Sequence, residues 1–253
     1  MRKIFSLMAG LLFMASPLFA QMKVVAHRGY WNSPGAAQNS VAALRQAYEA
    51  GAWASEFDVH ITTDGVVIVN HDDDLHGTII EEAAYAELKD MTLANGETVP
   101  TLRQYLEAGK SLGDMRLVLE VKEHQTAERE DRCVAACLKE VAEAGLQERV
   151  DYISFSLHAC EQLVKLDPQA RVYYLNGELS PAEAKAKGFA GIDYDGGVFA
   201  KHPEWIQQAH ALGLKVNVWT IDEVRDIERC RQAGVDYITT NKPIEALRIA
   251  ARQ

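Results

Sequence analysis

The 253-residue chain lacks an excess of basic charge: 26 Lys and Arg stand against 36 Asp and Glu, for a net charge of −10. A phosphate backbone attracts the opposite sign, which excludes nucleic acid as a partner. Proline is scarce at seven residues and glycine is ordinary at 17, so collagen-like and low-complexity chains are excluded. With 48% hydrophobic and 25% charged residues the chain can bury a core, which excludes intrinsic disorder. Four cysteines are too few for a disulfide scaffold. Cys133 and Cys137 sit at helical spacing, a poor geometry for a bridge, while Cys160 and Cys230 lie far apart; all four read as small buried thiols.

The apolar run from Ile4 to Met14 is shorter than the roughly 20 residues that a membrane span needs. Arg2 and Lys3 precede it and small residues lead to Ala20, so residues 1–20 read as a secretory signal peptide cleaved after Ala20. No cysteine follows that point to carry a lipid. The expectation is an exported, periplasmic protein without a stable membrane anchor, whose working domain is 21–253.

From there strand-like runs alternate with amphipathic helical segments. The strands are expected at 23–27, 54–61, 116–122, 152–155, 171–175, 191–195, 215–219 and 236–239. Helices are expected at 39–50, 102–112, 127–144, 157–166, 181–187, 203–212, 222–233 and 243–251. Ser180 with Glu183, and Asp222 with Glu223, read as helix starts, and Gly51, Gly145, Gly188, Gly213 and Gly234 as stops. A ninth run, 66–70, follows the turn Thr63-Asp64-Gly65 and reads as a hairpin return. Eight βα units in about 230 residues predict an α/β fold, a (β/α)8 TIM barrel. The stretch 72–100 after the second strand is a short insertion. A doubly wound open sheet is the alternative, but no glycine-rich nucleotide turn follows the first strand.

Barrel sites form at strand C-terminal ends. Those ends offer His27-Arg28-Gly29, Glu56-Phe57-Asp58, His71-Asp72, Glu120-Val121-Lys122 and Asn217-Val218-Trp219. Period-two alternation puts Glu56 and Asp58 on one face, and Glu120 and Lys122 on one face. Three clustered carboxylates repel unless a cation lies between them, and oxygen donors select one hard divalent cation, Mg²⁺ or Ca²⁺. His27 and His71 suit acid and base roles. Arg28 and Lys122 supply positive charge for an anionic group, which points to a phosphodiester rather than a glycoside. Asp193 and Asp195 also share a strand face, with Asp195 before Gly196-Gly197 reading as a turn former. Tyr174, Tyr194 and Phe155 are expected to line a pocket or to fill barrel layers.

The ordered set His27-Arg28-Gly29, Glu56-Phe57-Asp58-Val59, Thr63-Asp64-Gly65, His71-Asp72, Leu119-Glu120-Val121-Lys122 and Val218-Trp219-Thr220 resembles the glycerophosphodiester phosphodiesterase family, over about 24–243. The resemblance implies a barrel that hydrolyses small-molecule glycerophosphodiesters to glycerol 3-phosphate and an alcohol with a divalent cation. It makes Glu56, Asp58 and Glu120 the metal ligands and His27 and His71 the acid–base pair. Arg28 and Lys122 would then hold the phosphate, and Trp219 would line the pocket. The chain departs from the family pattern at three places. Ala37-Gln38-Asn39 stands where Pro-Glu-Asn is usual, Leu75-His76-Gly77-Thr78-Ile79 lacks an arginine, and Asn241 stands where Asp is common. The alternatives are a phosphodiesterase for another head group, inositol- or glycan-linked, and a non-catalytic binding barrel.

Overall fold

The computed structural model describes residues 21–252; the expected signal peptide lies outside the described residues. Eleven strands occur there: β1 Lys23–Ala26, β2 Ala54–Ile61, β3 Val67–Val69, β4 Asp74–Leu75, β5 Thr78–Ile79, β6 Arg116–Val121, β7 Val150–Ser154, β8 Arg171–Tyr174, β9 Gly191–Asp195, β10 Lys215–Trp219 and β11 Tyr237–Thr240. The helices are α1 Val41–Glu49, α2 Tyr85–Leu88, α3 Leu102–Lys110, α4 Ala127–Ala144, α5 Leu157–Leu166, α6 Pro181–Ala186, α7 Gly196–Lys201, α8 Trp205–Ala211, α9 Val224–Ala233 and α10 Pro243–Ala250. Eight strands pair in parallel in the order β1-β2-β6-β7-β8-β9-β10-β11, and β11 returns to β1. The sheet is therefore closed, which decides for the barrel over the open doubly wound sheet.

Alternation along each strand sorts side chains into two cores. Outward residues such as Phe57, Tyr174, Tyr194 and Ile238 join the helices' apolar faces in one continuous layer. Phe57 stacks on Tyr105 of α3 with ring centroids 4.3 Å apart, and each such buried side chain contributes about 1.5–3 kcal/mol. Tyr174 and Tyr194 thus belong to the outer layer, not to the pocket or the barrel interior where the sequence placed them. Inward residues Val25, Ala54, Val118, Ile153 and Tyr173 fill the barrel itself. Its N-terminal end is plugged by the stacked Trp53 and Tyr237 rings, 4.4 Å apart. Beside them Arg116 and Arg171 both donate to Asp151 Oδ1.

Local signals explain most boundaries. Ser180 and Glu183 form the anticipated capping box of α6, and Gly145 ends α4 with φ +71°. Asp222 does not cap α9: Glu223 occupies that position without a side-chain bond, and Asp222 turns back to Thr240 and Asn241. Helix α7 is additional to the expected elements and starts where Asp195 Oδ1 accepts from Gly197 N at 2.8 Å, so Asp195 is a turn former at the surface. The insertion carries β4, β5 and α2 around its own small core of Ile68, Leu75, Ile80, Leu88 and Val99. All four cysteines are free.

Gly191 makes room for the barrel filling. A Cβ there would lie 2.6 Å from the Tyr173 ring and collide with the Lys215 carbonyl. Gly191→Ala is expected to cost about 1–3 kcal/mol through overpacking, read from urea unfolding with the slope unchanged.

Candidate active site

Register brings the acids together. β2 and β6 pair so that Asp58 lies directly beside Glu120, with Glu56 one inward step below Asp58. Carboxylate oxygens of Glu56, Asp58 and Glu120 all fall within 4.8 Å of one another, and all three residues are buried. The turn after β1 closes over them. Arg28 and Gly29 both adopt left-handed backbone, φ +54° and +76°. This aims Arg28 N at Glu56 Oε2, 2.7 Å away. Only glycine serves at 29, because a Cβ would meet Ala43 Cβ at 2.6 Å.

The cluster is held by unequal means. Lys122 Nζ lies 2.9 Å from Glu120 Oε1 and 3.5 Å from Asp58 Oδ1, and Arg28 Nε is 3.8 Å from Asp58 Oδ2. Asn39, left-handed at φ +61°, clamps Asp58 twice: its Nδ2 donates to Oδ2 at 2.9 Å and its Oδ1 accepts from Asp58 N at 3.2 Å. Burial would raise the Asp58 carboxyl, but Lys122, His71, Asn39 and Arg28 outweigh it and hold it below its ordinary value. Burial, then the charges of Asp58 and Glu120, pushes Glu56 well above the carboxylate range. Burial and Asp58 push Glu120 up to about 8. Glu56 Oε1 is buried with no hydrogen-bond partner. Crowded acid oxygens, of which Glu56 Oε1 and Glu120 Oε1 lack a hydrogen-bond partner, are what a hard cation satisfies, so the residues fit Mg²⁺ or Ca²⁺ on Glu56, Asp58 and Glu120.

The two histidines flank this cluster and line the same cavity of about 170 Å³. His27 Nδ1 lies 2.9 Å from Asn241 Oδ1, which also accepts from Trp31 Nε1 at 2.9 Å. The Asn241 amide nitrogen donates to Asp222 Oδ2 at 2.8 Å. Burial lowers the His27 pKa, with the Asn241 bond opposing. His71 Nδ1 lies 2.7 Å from Asp72 Oδ1. Beneath its loop His60 Nε2 contacts the His71 carbonyl at 3.3 Å, and burial takes the His60 pKa down to about 4, so a neutral ring supports that turn. Opposite these groups the cavity is lined by Ile153, Phe155, Leu175, Asp193 and Trp219. Trp219 thus lies where the sequence placed it, and Phe155 joins it. Gln38 reaches Arg28 Nη1 at 2.6 Å and orients that guanidinium. His76 sits in the insertion, exposed, with Nε2 on the Thr92 carbonyl.

All eight sequence-predicted site residues converge on one mouth. Asn39, His60, Asp222 and the positioning role of Asn241 escape sequence reading, because each acts on a residue far along the chain. Only the left-handed backbone of Asn39 carries a local signal, and even that requires the structure. A larger groove of about 750 Å³, lined by residues such as Phe199, Ile206, Val218 and Ile221, lies outside the barrel and holds no comparable set of groups.

A closed barrel whose C-terminal mouth joins a buried acidic triad, a Lys–Arg pair and two histidines defines a hydrolase-type site for an anionic ester. Residues 27–245 match the profile of the glycerophosphoryl diester phosphodiesterase family, and the chain belongs to it. A glycerophosphodiester phosphodiesterase of Parabacteroides distasonis is 46% identical, covering 91% of this chain and 97% of that one, with a TM-score of 0.90. The glycerophosphodiester phosphodiesterase of Caldanaerobacter subterraneus subsp. tengcongensis is 28% identical over 237 residues, 87% of this chain and 94% of the relative. An Oleispira antarctica phosphodiesterase, solved with the product sn-glycerol-3-phosphate, shares the fold at a TM-score of 0.80 and 24% identity, covering 91% and 97% of the two chains.

A cation that neutralises the triad stabilises the native state by mass action. Added Mg²⁺ or Ca²⁺ is expected to raise the thermal midpoint of the chelated protein. Glu56→Gln, which relieves the crowding, should raise the metal-free midpoint and shrink the metal-induced shift; calorimetry with and without chelator reads both.

Proposed function

We propose that this enzyme hydrolyses glycerophosphodiesters to glycerol 3-phosphate and an alcohol, with one divalent cation on Glu56, Asp58 and Glu120. The observation that carries the reading is the opposite support given to the two histidines across a single cavity. Asn241 Oδ1 already receives the Trp31 N–H, and its amide hydrogens face Asp222, so the oxygen can only accept from His27. His27 therefore carries its proton on Nδ1 and presents an Nε2 lone pair to the cavity. A neutral amide partner and burial keep the ring uncharged, which suits a general base. His71 instead rests on the Asp72 carboxylate at 2.7 Å, which fixes its ring at the edge of the cavity and suits it to pass a proton to the leaving alcohol.

Arg28 and Lys122 bind phosphoryl oxygens and keep the diester between the histidines. The bound cation would add Lewis-acid polarisation of a phosphoryl oxygen. Glycerol 3-phosphate held as product by the Oleispira antarctica relative of similar fold supports this assignment of substrate. The signal peptide expected at residues 1–20 supports the periplasm as the compartment in which the enzyme works.

Removing either histidine deletes proton transfer. His27→Ala and His71→Ala are each expected to lower kcat by about 10²–10⁴-fold in glycerol 3-phosphate release. Parent-like rates in both would overturn the roles. Asn241→Asp places a carboxylate against the His27 Nδ1–H and raises the His27 pKa. The base works deprotonated, so the acidic limb of the kcat/KM profile, which lies below pH about 6.5 in the parent, should move to higher pH.

A further inference from the structure

The wall facing the carboxylates carries one acid that the reaction above does not use. β9 stands four places from β2 around the eight-stranded ring, so Asp193 looks across the cavity at Glu56 and Asp58. Its neighbours Ile192 and Tyr194 point outward into the helical layer, which turns Asp193 inward. The residue is 2% exposed. Oδ2 accepts from Asn217 Nδ2 at 2.9 Å, while Oδ1 has no hydrogen-bond partner. Burial pushes the carboxyl up to about 7, opposed only by the Asn217 bond and by no cationic side chain.

A buried carboxylate without a counter-ion costs stability, and folds keep such groups where a ligand completes them. The surroundings define that ligand. Around Asp193 the wall carries Ile153, Leu175, Phe155 and Trp219, with the uncharged Thr220 and Thr239 beside them. The Phe155 ring meets Trp219 edge-on, with centroids 5.4 Å apart at 83°, and Trp219 Nε1 donates to the Asp193 carbonyl at 2.9 Å, fixing the indole. Aromatic rings beside one unpaired carboxylate attract an organic cation.

We propose that Asp193, Phe155 and Trp219 form a head-group subsite for an ammonium-bearing alcohol, making glycerophosphodiesters of amino alcohols the preferred substrates. This rests on the phosphodiesterase reading above. The phosphoryl group lies against Arg28 and Lys122, and the ammonium reaches the opposite wall and pairs with Asp193 Oδ1.

The test compares glycerophosphoethanolamine with its N-acetyl derivative, which keeps the ester and removes the charge. The parent should favour the charged ester in kcat/KM, and Asp193→Asn should reduce that preference by about 10- to 100-fold. The preference is a ratio, so it is insensitive to how much of the variant folds. A parent preference below about threefold, or one unchanged in the variant, overturns the subsite while leaving the phosphodiesterase reading intact. Release of glycerol 3-phosphate from neither ester overturns both. A choline ester in the same panel separates the two cation types. A primary ammonium ahead of choline places the attraction on Oδ1 and the reverse order places it on the rings; either order supports the subsite.

Discussion

Mutual repulsion of three buried carboxylates is the constraint around which the catalytic mouth is built. Strand register forces Asp58 beside Glu120, and alternation adds Glu56 on the same face. Nothing in a barrel interior dilutes that charge, so each neighbour answers it. Lys122 bridges two of the acids, Asn39 clamps one from a strained backbone, and the left-handed Arg28-Gly29 turn lowers an N–H onto the third. The acids remain unequal: Asp58 is well compensated and Glu56 poorly so. That imbalance is the structural basis for expecting a cation there.

The mouth is divided by chemistry as well as by geometry. Strands β1, β2 and β6 carry the acids, His27, Arg28 and Lys122, while β7 to β10 present hydrocarbon, two aromatic rings and Asp193. On the proposed reading, bond breaking and head-group recognition belong to different strands, so one could change without disturbing the other. His71 belongs to neither wall. It follows β3, whose Ile68 packs into the insertion core, and the loop rests on His60. The position of this histidine thus depends on packing outside the barrel.

Much of this was legible in the sequence, because period-two strands report which side chains share a face. Glu56 with Asp58, and Glu120 with Lys122, needed only that rule and the strand ends. Eight βα units gave the architecture for the same reason. Where the sequence misled, a long-range partner overrode a local signal. Asp222 has the chemistry of a helix cap, yet Thr240 and the Asn241 side chain and backbone compete for it and win. Tyr174 and Tyr194 were expected in the pocket or in barrel layers, but their phase along β8 and β9 sends them outward. The short helix α7 begins with two glycines, and its start depends on the Asp195 side chain, so no apolar periodicity announces it.

The plug at the other end of the barrel has a consequence for traffic. With Trp53 stacked on Tyr237 and two arginines gripping Asp151, the barrel is a cup with one opening and not a pipe. Whatever enters must leave through the doorway by which the next molecule arrives. In the proposed hydrolysis two fragments leave for every diester admitted, and the anionic one would pass the Arg28 and Lys122 side chains that line the mouth. Crowding at that threshold is inherent in the vessel's shape.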